Sequence, residues 1–183
     1  PGTKVNYPVL QGTDNDEYLR TTPEGERRVA GSIFMDSESS PLAEGTNTII
    51  YGHNMRNGSM FHDVVKFSND QTYFDNHDVV YYLTPLKNFV LTPLFAYKTT
   101  GSDKSVRQFV FDEPDGLSEY ISSKHNKATT SKDKISLSEI EKIYQLSTCS
   151  YEQSDGRTIL LCSINKEADT RTDEESDPIN KGA

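Results

Sequence analysis

The stretch QLSTCSYEQSDGRTILLC, Gln145–Cys162, constrains this chain more than any other. A β-branched run ends at Cys149, a short polar connection covers Ser150–Gly156, and a second run restarts at Arg157. So short a connection predicts a hairpin, which makes the two runs antiparallel neighbours and brings Cys149 and Arg157 to one rim. Period-two alternation puts Ile143, Gln145, Ser147 and Cys149 on one face and Tyr144, Leu146 and Thr148 on the other. Cys149 thus ends its strand beside polar neighbours, an unusual place for a structural cysteine. Cys162 alternates with Leu160 and Ile164, off the parity of Arg157. It is expected to be a buried free thiol rather than the partner of Cys149 in a disulfide.

Further short strands precede this pair. Asn6–Gln11, Val29–Met35 and a run ending at Gly52 read as strands. So do the segments DVVYYLTP and FVLTPLFAYKTT, which look like a pair. Met60, Phe61, Val64, Val65 and Phe67 fall near helical spacing. A second short helix is expected after Pro114, with Leu117, Tyr120 and Ile121 apolar and its first turn acidic. A cap-like Ser136 or Ser138 leads into the Cys149 strand. Many short strands with few helices favour an all-β barrel or sandwich. After Asn165 the composition turns charged with little apolar content, so 166–183 is expected to be a disordered acidic tail and 1–165 the folded domain.

The chain has 183 residues, 33% hydrophobic and 26% charged, enough for one core. Its net charge of −9, with scattered basic residues, argues against nucleic acid and anionic lipid as partners. No run approaches the roughly 20 apolar residues of a membrane span, and no signal peptide is present. The opening PGTKVNYPVL reads as the middle of a domain, so an upstream part is expected to be missing.

At that rim, a guanidinium favours thiolate over thiol, or stabilises an oxyanion formed after attack. A thiolate nucleophile also needs an acid for its leaving group. Of the four histidines, His53 ends a β-branched strand just after Gly52, a residue that allows close backbone approach. His62 and His77 look like surface residues, and His125 like a helix C-terminus.

TIIYGHNM, LSTCSY and GRTILL together resemble the His, Cys and Arg motifs of sortases, the cysteine transpeptidases of Gram-positive cell surfaces. GTKVNYPVLQGTDNDEYL and GSIFMD are similar to the opening segments of class B, with clostridial members closest. The resemblance spans about Pro1–Asn165. It implies an eight-stranded sortase-type β-barrel with a few short helices. It makes His53 the general acid/base, Cys149 the nucleophile and Arg157 the oxyanion or substrate-positioning group. Ser147 and Ser150 would lie along the substrate, with Asn54 in the histidine motif. Tyr151 and Glu152 stand where some class B chains place an acidic residue, so a fixed acidic helper is not expected.

The reaction so implied cleaves a sorting motif after Thr, of the N-P-x-T-x or P-P-x-T-G kind. It forms a thioacyl enzyme and passes the acyl group to a peptidoglycan amine. The partners would be sorting-motif-bearing surface proteins and that amine. The location would be the outer face of the cell membrane, reached through an anchor absent from this chain. No metal or cofactor is required, and no further ligands lie at zinc-site spacing. A papain-like protease would place cysteine before histidine, opposite to the order here. A non-catalytic adhesin module is the other alternative, and it gives no reason for His53, Cys149 and Arg157 to sit at three strand ends.

Overall fold

The fold is given by a computed structural model. It describes residues 1–40, 45–85, 87–112, 114–150 and 155–164, with Cys149 and Ser150 placed by backbone alone. The expected tail, 166–183, and the Tyr151–Glu152 region lie outside the described residues.

Eight strands form one sheet: β1 (Val9–Gln11), β2 (Ile33–Met35), β3 (Asn47–Gly52), β4 (Val80–Leu83), β5 (Asn88–Thr100), β6 (Ala128–Ser131), β7 (Ile143–Ser150) and β8 (Gly156–Ile164). Their order is β1-β2-β3-β7-β8-β5-β4, and β6 also pairs with β5. Three short helices, α1 (His62–Asn69), α2 (Gln71–Asp75) and α3 (Gly116–His125), accompany them. This is the expected all-β, barrel-like architecture.

The Cys149 hairpin is present as β7 and β8, and β4 pairs antiparallel with β5 as anticipated. Two expected strands are shorter than their sequence suggested. β1 starts only at Val9, and β2 only at Ile33. A turn in which Gly31 N–H donates to Arg28 O precedes β2, leaving Val29 66% exposed. β6 has no sequence signal, because ATTS is short and polar. It is a strand through its partners: it pairs with β5, Thr130 Oγ1 donates to Phe67 O, and Gln71 bonds both backbone groups of Ser131.

Both faces of the sheet are covered. Tyr144, Leu146, Leu160 and Cys162 pack with Phe61, Val64, Phe67 and Phe74 from the α1–α2 side. Ile49, Ile143, Ile159 and Leu161 pack with Tyr97, Tyr120 and Ile121 from the α3 side. Double burial explains why β8 reads as an unbroken apolar run rather than a polar-apolar alternation. Cys162 is a free, fully buried cysteine, as its parity indicated.

Candidate active site

Register brings the three expected residues to one rim. β3 and β7 run parallel, with Tyr51 beside Ser147 and Gly52 beside Thr148. β7 and β8 run antiparallel, with Cys149 directly opposite Arg157. His53 follows Gly52, so it emerges where β7 ends and β8 begins. Periodicity could suggest the hairpin. The parallel β3–β7 pairing, between segments far apart in the chain, has no local signal.

Gly52 makes this junction possible. A Cβ there would sit 2.7 Å from the Phe61 ring and would also strike Ile33. Gly52→Ala is therefore expected to destabilise the fold by about 1–3 kcal/mol through overpacking. A thermal-unfolding midpoint equal to the parent's would rule this out.

Beyond His53 the chain turns sharply. Phe61 N–H donates to His53 O at 2.9 Å, and Asn54 bridges Met60. Met60 takes a φ of 58°, uncommon for a side chain of its size. Tyr7 holds it there, its hydroxyl accepting Met60 N–H at 2.9 Å. Asn54 is 6% exposed, and its Oδ1 lies 2.9 Å from His62 Nδ1. His62 thus braces the turn that carries His53, rather than acting as a plain surface residue. His77 stacks on Tyr73 with ring centroids 3.9 Å apart, and His125 closes α3 as expected.

Burial lowers the pKa of His53 below 6.5, and the charges of Arg20 and Arg157 lower it further. The resting imidazole is therefore mostly neutral at pH 7. We expect an NMR titration to place the His53 midpoint below 6.5, and Arg20→Gln to move it upward. A midpoint at or above 6.5 in the parent would contradict this. The linkage sign follows from the same depression. The unfolded chain takes up this proton first, so the His53 contribution to stability is complete above 6.5. It is lost as pH falls through the depressed value.

A groove of about 480 Å³ adjoins the rim. Tyr51, Ser147, Arg157 and Ile159 line it from the sheet, and Thr99 to Arg107 contribute its wall. Arg157 is held locally: Nη1 donates to Gly156 O at 3.1 Å and Nη2 lies 3.4 Å from Asp155 Oδ1. Gly101 leaves room for it, since a Cβ there would meet Arg157 Nη2 at 2.8 Å. Ser147 is where its alternation put it. Gln145 shares that face but is fully buried behind the groove. It donates to Asn47 Oδ1, Val106 O and Tyr120 OH and accepts from Tyr97 OH.

No sequence signal marked the residues that shape the groove: Tyr51 on its floor, Gly101, Asp103 and Arg107 on its wall, and Asp36 behind them. Burial raises the Asp103 pKa, but hydrogen bonds from Ser105 and Thr99 outweigh it and leave the carboxyl well below the usual range. Asp36 and Tyr51 lie inside GSIFMD and TIIYGHNM without standing out there, and Gly101, Asp103 and Arg107 carry no motif. They acquire meaning only from the pairing that brings them together. Among the described residues there is no cluster of three His, Cys, Asp or Glu that could hold a metal. No described helix is long and apolar enough to cross a membrane.

Known proteins share this sequence and this fold. The sortase domain family matches residues 1–165. Sortase B of Staphylococcus aureus is 32% identical over 167 residues, covering 90% of this chain and 67% of that protein. The crystal structure of Clostridium perfringens sortase B superposes with a TM-score of 0.81 at 30% identity, covering 89% of this chain and 88% of that one. A Staphylococcus aureus sortase B–substrate complex superposes with a TM-score of 0.80 at 30% identity, covering 89% and 75%.

Proposed function

The chain belongs to the sortase family of cysteine transpeptidases, in its class B, and from that premise we propose how its residues divide the work. Cys149 is the nucleophile, His53 the general acid/base and Arg157 the group that steadies the oxyanion. Proton transfer from the Cys149 thiol to the resting neutral imidazole of His53 forms a minor thiolate–imidazolium pair, and its thiolate attacks the carbonyl carbon of a Thr–X peptide bond. The C–S bond forms, and the oxyanion lies against Arg157 and the backbone N–H near Ser150. His53 gives its proton to the departing amine as the C–N bond breaks. An acceptor amine then attacks the thioester and returns a proton to His53, and the thiolate leaves.

The observation that carries this reading is the strand register: Cys149 opposite Arg157 on β8, with the His53 strand end next to β7. Ser147, in the groove, is the proposed contact for the sorting peptide. Asn54 supports binding through its grip on His62 and the His53 turn. Residues 1–165 are proposed as the catalytic domain and 166–183 as a tail outside it. The proposed substrates are secreted proteins bearing an N-P-x-T-x or P-P-x-T-G motif, and the acceptor is a peptidoglycan amine. The proposed place of work is the outer face of a Gram-positive membrane. A non-catalytic adhesin module is disfavoured, because simple binding does not call for this constellation on one rim.

Mass spectrometry of the protein with a small library of such peptides and candidate amines tests the proposal. A thioacyl adduct on Cys149 together with an amine-coupled product is the expected result. No adduct with any peptide would overturn it.

A further inference from the structure

Five side chains, Asp36, Arg107, Tyr51, Asn15 and Glu38, meet at the groove wall. Asp36, just after β2, is fully buried. Its Oδ2 accepts from Arg107 Nε at 2.7 Å, Tyr51 OH at 2.7 Å and Asn15 Nδ2 at 3.0 Å. Its Oδ1 accepts from Arg107 Nη2 at 3.0 Å and from Glu38 N–H at 3.0 Å. Arg107 Nη2 also reaches Glu38 Oε1 at 2.6 Å. Burial raises the Asp36 pKa, but the bonds from Arg107, Glu38 N–H and Tyr51 prevail and keep it below the usual carboxylate value.

A buried carboxylate is costly unless its lone pairs are filled, so an arrangement this complete signals a position that matters. Asp36 belongs to neither the groove nor the hydrophobic clusters. It joins two residues that do line the groove, Tyr51 on the floor and Arg107 on the wall. From behind, the neighbouring Val106 O accepts from Gln145 Nε2 at 3.2 Å, Asn47 Nδ2 at 3.4 Å and Tyr120 OH at 3.1 Å. The wall segment 103–108 is thus gripped at its back by Val106 and at its front by Arg107.

We infer that Asp36 and Arg107 are positioning residues that set the width of the peptide groove, by fastening wall 103–108 to the Tyr51 floor. This rests on the sortase reading for the identity of the occupant and goes beyond it by naming what holds the site open to that occupant. The two residues act on peptide capture rather than on the reacting atoms. The planar guanidinium fork is essential, because it spans both carboxylate oxygens in a way a lysine ammonium does not.

The test compares the parent with Arg107→Lys, Asp36→Asn and the double variant. Steady-state kinetics on an N-P-x-T-x or P-P-x-T-G peptide are measured together with the rate of Cys149 alkylation by iodoacetamide. Arg107→Lys, at a half-exposed position, is expected to fold and to raise KM about ten-fold. Both kcat and the alkylation rate should stay within about two-fold. The double variant should be no worse than the more damaging single one. Amide hydrogen exchange should quicken over residues 103–108 and not elsewhere.

Unchanged KM in Arg107→Lys would overturn the inference. So would a fall in kcat and alkylation rate at constant KM, which would make Arg107 a helper of the thiolate. A parent that turns over neither peptide overturns the sortase reading instead. Hydrogen exchange then still decides the clamp, and exchange unaltered over 103–108 would sink it.

Discussion

Cys149→Ala is expected to abolish turnover and leave the fold intact, whereas Cys162→Ala keeps activity within a few-fold. The two thiols occupy opposite environments. Cys162 is fully buried with Tyr144 and Leu160 around it, and burial pushes its thiol up, so it stays protonated and inert. Removing its sulfur costs stability of about 1 kcal/mol, which a melting curve reads and a rate assay does not. Cys149 pairs across the hairpin with a cationic residue at the end of its strand. The checks are peptide turnover and circular dichroism of both variants, with a count of alkylated sites in the folded parent. One site per chain is expected. Comparable losses from both substitutions, with folding retained, would remove the single-nucleophile reading.

Arg157→Lys is expected to fail nearly as badly as Arg157→Ala, with kcat down by about 10²–10³, the usual loss of an oxyanion donor. Lysine keeps the charge and loses the directed fork. If Arg157 only favoured the thiolate, lysine would suffice. The structure weighs against charge as its whole purpose, because Asp155 lies beside the guanidinium and offsets it. The Gly156 carbonyl and the space above Gly101 fix instead where the guanidinium can lie. Kinetics of both variants on one sorting peptide should be read beside the alkylation rate of Cys149. Near-normal turnover by the lysine variant would leave Arg157 as an electrostatic bystander.

Local pattern made much of this molecule legible. The β7–β8 hairpin follows from two β-branched runs and a short polar link, and α3 from an acidic first turn ahead of Tyr120 and Ile121. The depth of Cys162 follows from its place in the apolar run of β8, off the parity of Arg157. His53, Cys149 and Arg157 could be singled out because each sits at a strand end beside a recognisable motif. What stayed hidden depends on distant pairing. β6 has no apolar face of its own and exists because β5 and Gln71 bond its backbone. Gln145 looks like a polar neighbour of Cys149, yet tertiary packing makes it the centre of a buried knot. Asp36 closes the GSIFMD segment, but its pairing with Arg107 appears only when β2 and the segment after β5 are folded against each other.

The parallel pairing of β3 with β7 also governs how the protein comes into being. That contact joins segments separated by most of the domain, so its loop-closure entropy must be met before any reward arrives. Chains dominated by such non-local pairings fold in milliseconds to seconds rather than microseconds. During that interval β3 has no partner on its β7 side, and the histidine and cysteine ends remain apart. The strand ends that carry His53 and Cys149 therefore meet only when the longest-range pairing of the sheet is complete, and a chain stalled short of that step has not assembled the rim of the groove.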